Sequence, residues 1–226
     1  MRLDLPSYPG RGILCGTSRD GVPFVAYFLT ARSPSSRNRL LVCENERVMT
    51  TVADPRLVID PSLLIYTAMQ RSGGALIAAN GDHSDRIAAG LARGLSHERS
   101  LERSCYEPDS PHYTPRISAV AVGEGYSLSM LRRRGGACER AVFHYAWDTT
   151  HLIYTYEGDG EVLPSFIGDP RPVACDVPLE SLPRWVWRSL DERHRVSVAV
   201  WALDGPPRIA IINRHQGGRE EWTALH

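Results

Sequence analysis

The sequence contains no lysine, so all 26 of its basic residues are arginine, and 26 acidic residues balance them to a formal net charge of zero. Without lysine no side-chain amine can form a Schiff base, and no Walker-type phosphate loop can exist. Every fixed positive charge is a planar guanidinium, which suits two-point contact with phosphate or carboxylate. A neutral chain also lacks a long-range field for nucleic acid or anionic membranes, so any anion site must be local.

Cysteine is sparse and long apolar runs are absent. The five cysteines are scattered and contain no Cys-x-x-Cys pair, so neither a disulfide framework nor a zinc knuckle is expected. No run of about 18 apolar residues occurs, and no apolar segment follows Met1, so we expect a cytoplasmic protein without a membrane partner. At 226 residues the chain can bury a sizeable core.

Predicted strands are grouped, and helices fall in the middle and near the end of the chain. Residues 12–31 predict a hairpin around an Asp-Gly turn. Further strands are predicted at 40–53, 60–70, 74–80, 116–123, 126–133, 141–147, 151–158, 195–203 and 208–214. Helices are predicted at 83–94, 96–105 and 178–190. Since strands and helices do not alternate, the pattern favours an α+β fold with mostly antiparallel sheets.

Three arginines fall within the stretch ARSPSSRNRL, residues 31–40. Arg32, Arg37 and Arg39 stand among short hydroxyl and amide side chains such as Ser33, a combination suited to binding phosphate. A solvated loop is the competing interpretation, and the spacing alone favours neither.

The stretch NGDHSD, residues 80–85, follows a predicted strand and enters a predicted helix. Backbone N–H groups at such a helix start favour an anion or a polarised oxygen. A plain turn with Ser84 as the helix cap is the simpler interpretation. A metal site built from Asp82, His83 and Asp85 matches no known ligand spacing.

A carboxylate lies in the proline-rich stretch YEPDSPHYTPRIS, residues 106–118. Glu107 would be a general acid or base if it were partly desolvated, and a surface loop fixed by its prolines is the alternative. Tyr66 lies in an apolar strand, where a tyrosine is most often a core residue with its hydroxyl satisfied. The arginines at 132–134 precede Gly-Gly and are predicted to be a solvated hairpin tip.

Taken together, these stretches resemble the archaeal-type IMP cyclohydrolase family, especially its longer bacterial members. The resemblance is carried in order along the chain by YPGRGI (8–13), ARSPSSRNR (31–39), DPSLLIY (60–66), NGDHSD (80–85), YEPDSPHYTPRIS (106–118), LPSF (163–166) and WRSL (187–190). It implies a single domain over residues 1–226 with an Ntn-hydrolase-like fold, a four-layer αββα sandwich. The implied reaction closes a formylated aminoimidazole carboxamide ribonucleotide (FAICAR) to inosine 5′-monophosphate (IMP) and water in purine biosynthesis.

The resemblance also implies site residues. It assigns Tyr66, Glu107, Arg37 and Asn80 to catalysis, and Arg11, Arg32, Ser33, Asp82, Tyr106, Thr114 and Arg116 to substrate binding. The arginines would grip the 5′-phosphate and the base edge, while Glu107 or Tyr66 would move protons. The reaction needs neither a metal nor a cofactor, so none is expected. The expected partner is a small-molecule purine nucleotide and not nucleic acid, and a homo-oligomer is left open.

Two other functions fit the same motifs. A paralogue would close or open the ring of a related nucleoside or nucleotide in specialised metabolism. A non-catalytic protein would bind purine nucleotides and perform no chemistry.

Overall fold

The computed structural model describes residues 2–57 and 65–224 of the chain. The strands are β1 (Arg11–Thr17), β2 (Pro23–Thr30), β3 (Arg39–Glu44), β4 (Arg47–Val52), β5 (Thr67–Ser72), β6 (Ala75–Ala79), β7 (Arg116–Val122), β8 (Gly125–Arg134), β9 (Ala137–Ala146), β10 (Thr150–Tyr154), β11 (Arg171–Val173), β12 (Arg195–Ala202), β13 (Arg208–Asn213) and β14 (Glu220–Ala224). The α-helices are α1 (Pro34–Arg37), α2 (His83–Leu91), α3 (His97–Leu101) and α4 (Leu182–Ser189), and short 3-10 helices lie at Pro55–Leu57, Leu179–Ser181 and Arg214–Gln216.

The strands form two seven-stranded sheets. Sheet I has the order β11-β10-β1-β2-β12-β13-β14, and sheet II runs from β3 to β9 in chain order. Neighbouring strands in both sheets are antiparallel. The α+β class with antiparallel sheets is therefore confirmed.

The core lies between the sheets, and helices cover sheet II on its other face. Along β6, Leu76 and Ala78 join the large cluster shared with sheet I, whereas Ile77 between them joins a separate cluster with Ile87 and Leu101 of α2 and α3. This alternation follows from the two-residue period of a strand, whose successive side chains point to opposite faces. On sheet I, α4 packs against β12 and β13.

Two predicted elements differ from the structure, one at a hairpin turn and one at a helix start. The predicted strand 40–53 is the hairpin of β3 and β4, turned at Asn45 and Glu46 with φ of 48° and 56°. These left-handed angles make a tight hairpin turn of the kind in which glycine is the usual residue. Helix α2 begins at His83 after Asp82, and no side chain caps it, so the predicted Ser84 cap is wrong.

Two predictions about individual side chains also need correction. Cys105 and Cys138 form a disulfide between the loop after α3 and β9, which the scattered cysteine spacing did not predict. Arg132 is buried, pairs with Glu139 and donates to the carbonyl oxygens of Phe166 and Gly168 at 3.3 Å, so it is not part of a solvated tip.

The remaining comparisons concern the last strand, the stretch 60–66 and the length of the helices. Strand β14 was not predicted at all. The stretch DPSLLIY, from 60 to 66, lies mostly outside the described residues. Among the helices of the described ranges, none is long and apolar enough to cross a bilayer.

A buried asparagine joins the two sheets. The side chain of Asn213, at the end of β13 in sheet I, accepts from Leu41 N at 2.9 Å and donates to Leu41 O at 2.9 Å. Leu41 belongs to β3, the edge strand of sheet II, so one amide satisfies both of its outward backbone groups. Ser197 Oγ donates to the same amide oxygen at 2.6 Å.

We expect Asn213→Ala to lower the free energy of unfolding by about 2–4 kcal/mol, because both backbone groups of Leu41 would be left buried and unpaired. The matched control Ser197→Ala removes one donor and keeps the inter-sheet pairing, so its cost should be about 1 kcal/mol. Urea unfolding followed by tryptophan fluorescence measures both. Equal losses in the two variants would show that Asn213 has no special role.

Candidate active site

A cavity of about 640 Å³ opens where the ends of both sheets and their loops meet. It is lined by Tyr8, Arg11, Arg32, Ser33, Ser36, Arg39, Glu107, Asp109, His112, Thr114, Tyr156 and Leu163. Five of these were predicted as site residues, namely Arg11, Arg32, Ser33, Glu107 and Thr114. Its lining combines guanidinium groups, hydroxyl groups and the carboxyl groups of Glu107 and Asp109.

Arg39 places a buried guanidinium against the cavity. Its residue is 3% exposed, and its Nε donates to Ser36 O at 2.8 Å. No carboxylate of the described residues forms an ion pair with it. Burial lowers the pKa of the Arg39 guanidinium, and the like charge of Arg11 lowers it further, but an arginine stays protonated at neutral pH. An uncompensated buried cation of this kind favours an anionic ligand.

The direction of Arg39 is set by its neighbour Asn38. The Asn38 side chain donates to Asp54 O and accepts from Asp54 N, both at 2.7 Å, and so clamps the start of β3 to the end of β4. Arg37, on the other side of Asn38, is the last residue of α1, and its Nε donates to Ala31 O at 3.3 Å. Arg37 does not line the cavity.

Arg32, Ser33 and Ser36 also line the cavity and add donors near Arg39. One nitrogen of Arg32 donates to the carbonyl oxygens of Asp159 and Gly160 at 2.7 and 2.8 Å, and the guanidinium lies 5.0 Å from the centre of the Tyr8 ring. Ser33 caps α1 by accepting from Ser36 N at 3.2 Å. These contacts fix the arginine and the hydroxyl groups at the cavity wall.

The lining also contains a buried ion pair between Arg11 and Glu107. Arg11 Nη2 lies 2.9 Å from Glu107 Oε1, although the residues are 96 positions apart in the chain. Desolvation raises the pKa of Glu107, and the attraction of Arg11 only partly opposes it. The carboxyl group can therefore exchange a proton closer to neutral pH than an exposed glutamate can.

Thr114 connects this part of the lining to a tyrosine from a distant loop. Its N–H donates to Asp109 Oδ1 at 2.7 Å, and its hydroxyl contacts both Asp109 Oδ2 and the Tyr156 hydroxyl. Burial raises the pKa of Tyr156 to about 12, so its hydroxyl is protonated at neutral pH. The loop also closes back on itself, because Glu107 N donates to Thr114 O at 2.9 Å.

Tyr66 lies behind the cavity wall. Its hydroxyl is 2.6 Å from that of Tyr27 in the core, and both phenols interact electrostatically with Arg11 and Arg39. Tyr66 does not line the cavity. Tyr66 therefore interacts with Arg11 and Arg39 from the core and not from the cavity.

Asn80 is fully buried and bonded to the backbone on both sides of Arg116. Its side chain donates to Pro115 O at 2.9 Å and accepts from Ile117 N at 2.8 Å, and so holds the end of β6 to the start of β7. The Arg116 guanidinium pairs with Asp82. None of these side chains lines the cavity.

Tyr106 also points elsewhere, and packs edge-on against the Tyr113 ring at 5.7 Å. The lining residues that were not predicted as site residues are Tyr8, Ser36, Arg39, Asp109, His112, Tyr156 and Leu163. All but one lie within the quoted stretches 8–13, 31–39, 106–118 and 163–166. Tyr156 alone is outside them, and it reaches the cavity because its loop pairs with the segment before β1.

No group of three or more histidine, cysteine or acidic side chains in residues 2–57 and 65–224 is arranged to hold a metal ion.

Comparison with known families gives a match that covers most of the chain. The model of a family described as IMP cyclohydrolase-like protein matches residues 8–206. The chain belongs to this family. Since the match begins at Tyr8, it includes every residue that lines the cavity.

Individual relatives of the IMP cyclohydrolase-like chain are archaeal proteins named IMP cyclohydrolase. One from Methanococcus aeolicus is 31% identical over 117 residues, which is 50% of this chain and 57% of that protein. One from Methanococcus maripaludis strain S2 is 32% identical over 117 residues, which is again 50% of this chain and 57% of that protein. One from Methanocaldococcus jannaschii is 26% identical over 114 residues, 50% of this chain and 56% of that protein. The chain therefore matches little more than half the length of these relatives.

We expect Asn80→Ala to lower the free energy of unfolding by about 2–4 kcal/mol, because Pro115 O and Ile117 N lose their partner inside the protein. The matched control in the same stretch is Asp85→Ala, which breaks a largely exposed ion pair with Arg47 and should cost about 1 kcal/mol or less. Urea denaturation measures both values. A silent Asn80→Ala would contradict the structural role of this amide.

Proposed function

We propose that this protein is an IMP cyclohydrolase that closes FAICAR to IMP with release of water. The observation that carries the proposal is the set of polar groups at the cavity in a chain of this family. Guanidinium and hydroxyl groups line it together with a buried carboxyl group whose pKa is raised. A nucleoside monophosphate can use both kinds of group, because it has a dianionic phosphate at one end and a hydrogen-bonding heterocycle at the other.

The phosphate would lie against Arg32, Arg39, Ser33 and Ser36. Two guanidinium groups can each make paired hydrogen bonds with phosphate oxygens, and the serine hydroxyls add further donors. Arg39 is the more important cation, because it is buried and has no carboxylate partner within the described residues. Arg37 was predicted for this part of the site, and its direction favours a role in fixing α1 instead.

The heterocycle would then lie near Arg11, Glu107 and Tyr156. In the reaction the carboxamide nitrogen attacks the formyl carbon of the same molecule, and the formyl oxygen gains negative charge. Holding the two arms in the reactive rotamer removes much of the barrier, since well-aligned intramolecular reactions reach effective molarities of about 10⁵ M or more.

Proton transfer completes the reaction. The formyl oxygen leaves as water after it receives two protons, while the attacking carboxamide nitrogen loses one proton and the formamido nitrogen loses the other as the ring C=N bond forms. Glu107 suits this exchange because burial keeps its carboxyl group protonated to higher pH than usual. The Arg11 guanidinium and the protonated Tyr156 hydroxyl are donors for the oxyanion, and one such donor typically contributes roughly 3–4 kcal/mol.

In this proposal the other predicted site residues do not contact the substrate and instead position the residues that line the cavity. Tyr66 supports Arg11 and Arg39, and Asn80 holds the start of β7. Arg116 lies close enough to Glu107 to lower the pKa of its carboxyl group, and Asp82 orients Arg116. Tyr106 packs the loop that carries Glu107.

We also propose that the fold is Ntn-hydrolase-like, with the layers αββα. The packing of α2 and α3 on sheet II, and of α4 on sheet I, supports it. The small-molecule partner follows from the proposed substrate. The cytoplasmic location remains a prediction.

The decisive test is turnover of FAICAR by the purified protein, measured as the ultraviolet absorbance change on IMP formation. The wild type should exceed the spontaneous rate, and EDTA should have no effect. Glu107→Gln should lower kcat by roughly 10²-fold or more, because the amide keeps the shape but cannot transfer a proton. Binding of IMP should survive in this variant.

Three results would contradict this function in different ways. No turnover with micromolar IMP binding would indicate a non-catalytic nucleotide-binding protein. Poor IMP formation with fast conversion of a related nucleotide would indicate a paralogue. Unchanged turnover in Glu107→Gln would exclude this carboxyl group from proton transfer.

A second prediction separates Arg39 from Arg37. Arg39→Met should weaken IMP binding about 30-fold, roughly 2 kcal/mol, because it removes a buried charged donor to phosphate. Arg37→Met is the matched control and should bind IMP as the wild type does. Calorimetric titration with IMP and with inosine measures the effect, which should disappear for inosine. A larger loss in Arg37→Met would restore the original prediction for that residue.

A further inference from the structure

The stretch NGDHSD contains a glycine beside the proposed catalytic carboxyl group. A Cβ built on Gly81 would lie 3.4 Å from His83 Nδ1 and 3.7 Å from Glu107 Oε1, so the position without a side chain lies next to both polar atoms. The backbone of Gly81 is not in the left-handed region. Its lack of a side chain therefore matters for the space it leaves and not for backbone strain.

His83 presents an unused hydrogen-bond acceptor to this space. Its Nε2 lies 3.1 Å from Ile117 O, and because a carbonyl oxygen can only accept, Nε2 carries the proton. Burial lowers the pKa of His83 to about 3, so the ring is neutral and Nδ1 is unprotonated. The ring is fully buried, and Nδ1 has no hydrogen-bond partner among residues 2–57 and 65–224. A buried acceptor without a partner is unfavourable, which favours a bound ligand at this atom.

We propose that His83 is a positioning residue for Glu107, and that its Nδ1 binds a water molecule which bridges to the Glu107 carboxyl group through the space beside Gly81. The catalytic part of this inference rests on the proposed function, whereas the water-mediated contact between His83 and Glu107 does not. A water held between His83 Nδ1 and the Glu107 carboxyl group would have two polar partners, which is the minimum that an ordered buried water needs.

The hydrogen bond to Nδ1 would orient the water, and so decide which of its hydrogens and lone pairs face the carboxyl group. Because Nδ1 accepts one hydrogen, the water has one hydrogen and its lone pairs left for Glu107. It can donate to the carboxylate or accept from the protonated acid, so it supports both states of a group that must exchange protons. Loss of the water would desolvate the carboxylate and raise the pKa of Glu107.

Other charged groups interact with Glu107 and His83, and a test must leave those groups unchanged. Glu107 interacts with Arg11 from β1, Asp109 from its own loop and Arg116 from β7. His83 interacts with Arg116, with Asp82 and with His97 of α3. The variants chosen below change none of them.

Three substitutions separate the bridge from simple packing. Gly81→Ala places a methyl group in the space, at ordinary contact distances from its neighbours. His83→Gln keeps a donor where Nε2 meets Ile117 O but loses the acceptor at Nδ1. His83→Asn is the matched control, because its side-chain oxygen replaces Nδ1 while the bond to Ile117 O is lost.

The readout is an infrared titration of the Glu107 carboxyl band in the substrate-free protein, with Glu107→Gln used to identify the band. The apparent pKa of Glu107 should rise by about one pH unit in Gly81→Ala and His83→Gln. It should stay near the wild-type value in His83→Asn, even if that variant is the least stable of the three.

Wild-type titration in both Gly81→Ala and His83→Gln overturns the inference, and so does an equal shift in His83→Asn. If His83→Asn does not fold, the comparison of His83→Gln with the wild type decides, because that variant places no methyl group beside the carboxyl group. Because the titration needs no substrate, it is independent of the turnover test. Absent turnover with the expected shifts rejects the proposed function and keeps the contact, whereas normal turnover without shifts rejects only the contact.

Discussion

The buried ion pair between Arg11 and Glu107 is the interaction on which the candidate site depends. Burial works against both charges. For Arg11 the attraction of Glu107 and of nearby phenols outweighs it and raises the pKa of the guanidinium. For Glu107 desolvation prevails, and its pKa stays above the usual range. A fixed cation beside a carboxyl group that readily gains a proton is therefore the central chemical feature of the cavity.

This pair exists because the architecture brings distant segments together. Arg11 begins β1 in sheet I, and Glu107 lies in the loop that leads into β7 of sheet II. The same meeting point receives Arg39 from the start of β3 and Tyr156 from the loop after β10. Side-chain amides fix these segments to the sheets, since Asn38, Asn80 and Asn213 each bond two backbone groups of a neighbouring segment. The cavity is thus formed by loops whose ends are tied to rigid strands.

Much of the fold could be predicted from local patterns. The hairpin of β1 and β2, the strands β6 to β8 and the helices α2 to α4 follow from apolar periodicity and from turn residues. The turn at Asn45 and Glu46 was missed because both residues adopt left-handed angles without glycine. The disulfide of Cys105 and Cys138 joins positions 33 residues apart, and nothing in their spacing distinguishes them from the other cysteines.

By itself, the sequence determined that every fixed positive side-chain charge at an anion site must be arginine, that the fold is α+β, and which stretches carry the family motifs. Only the tertiary structure decided which side chains of those stretches face the cavity. Arg39 lines it and Arg37 does not, because the clamp between Asn38 and Asp54 fixes the start of β3. Tyr156 joins the site because its loop pairs with the backbone at Pro9, and Asn80 is a backbone clamp because it bonds Pro115 and Ile117. Side-chain direction depends on contacts between segments far apart in the chain, and local sequence patterns do not contain those contacts.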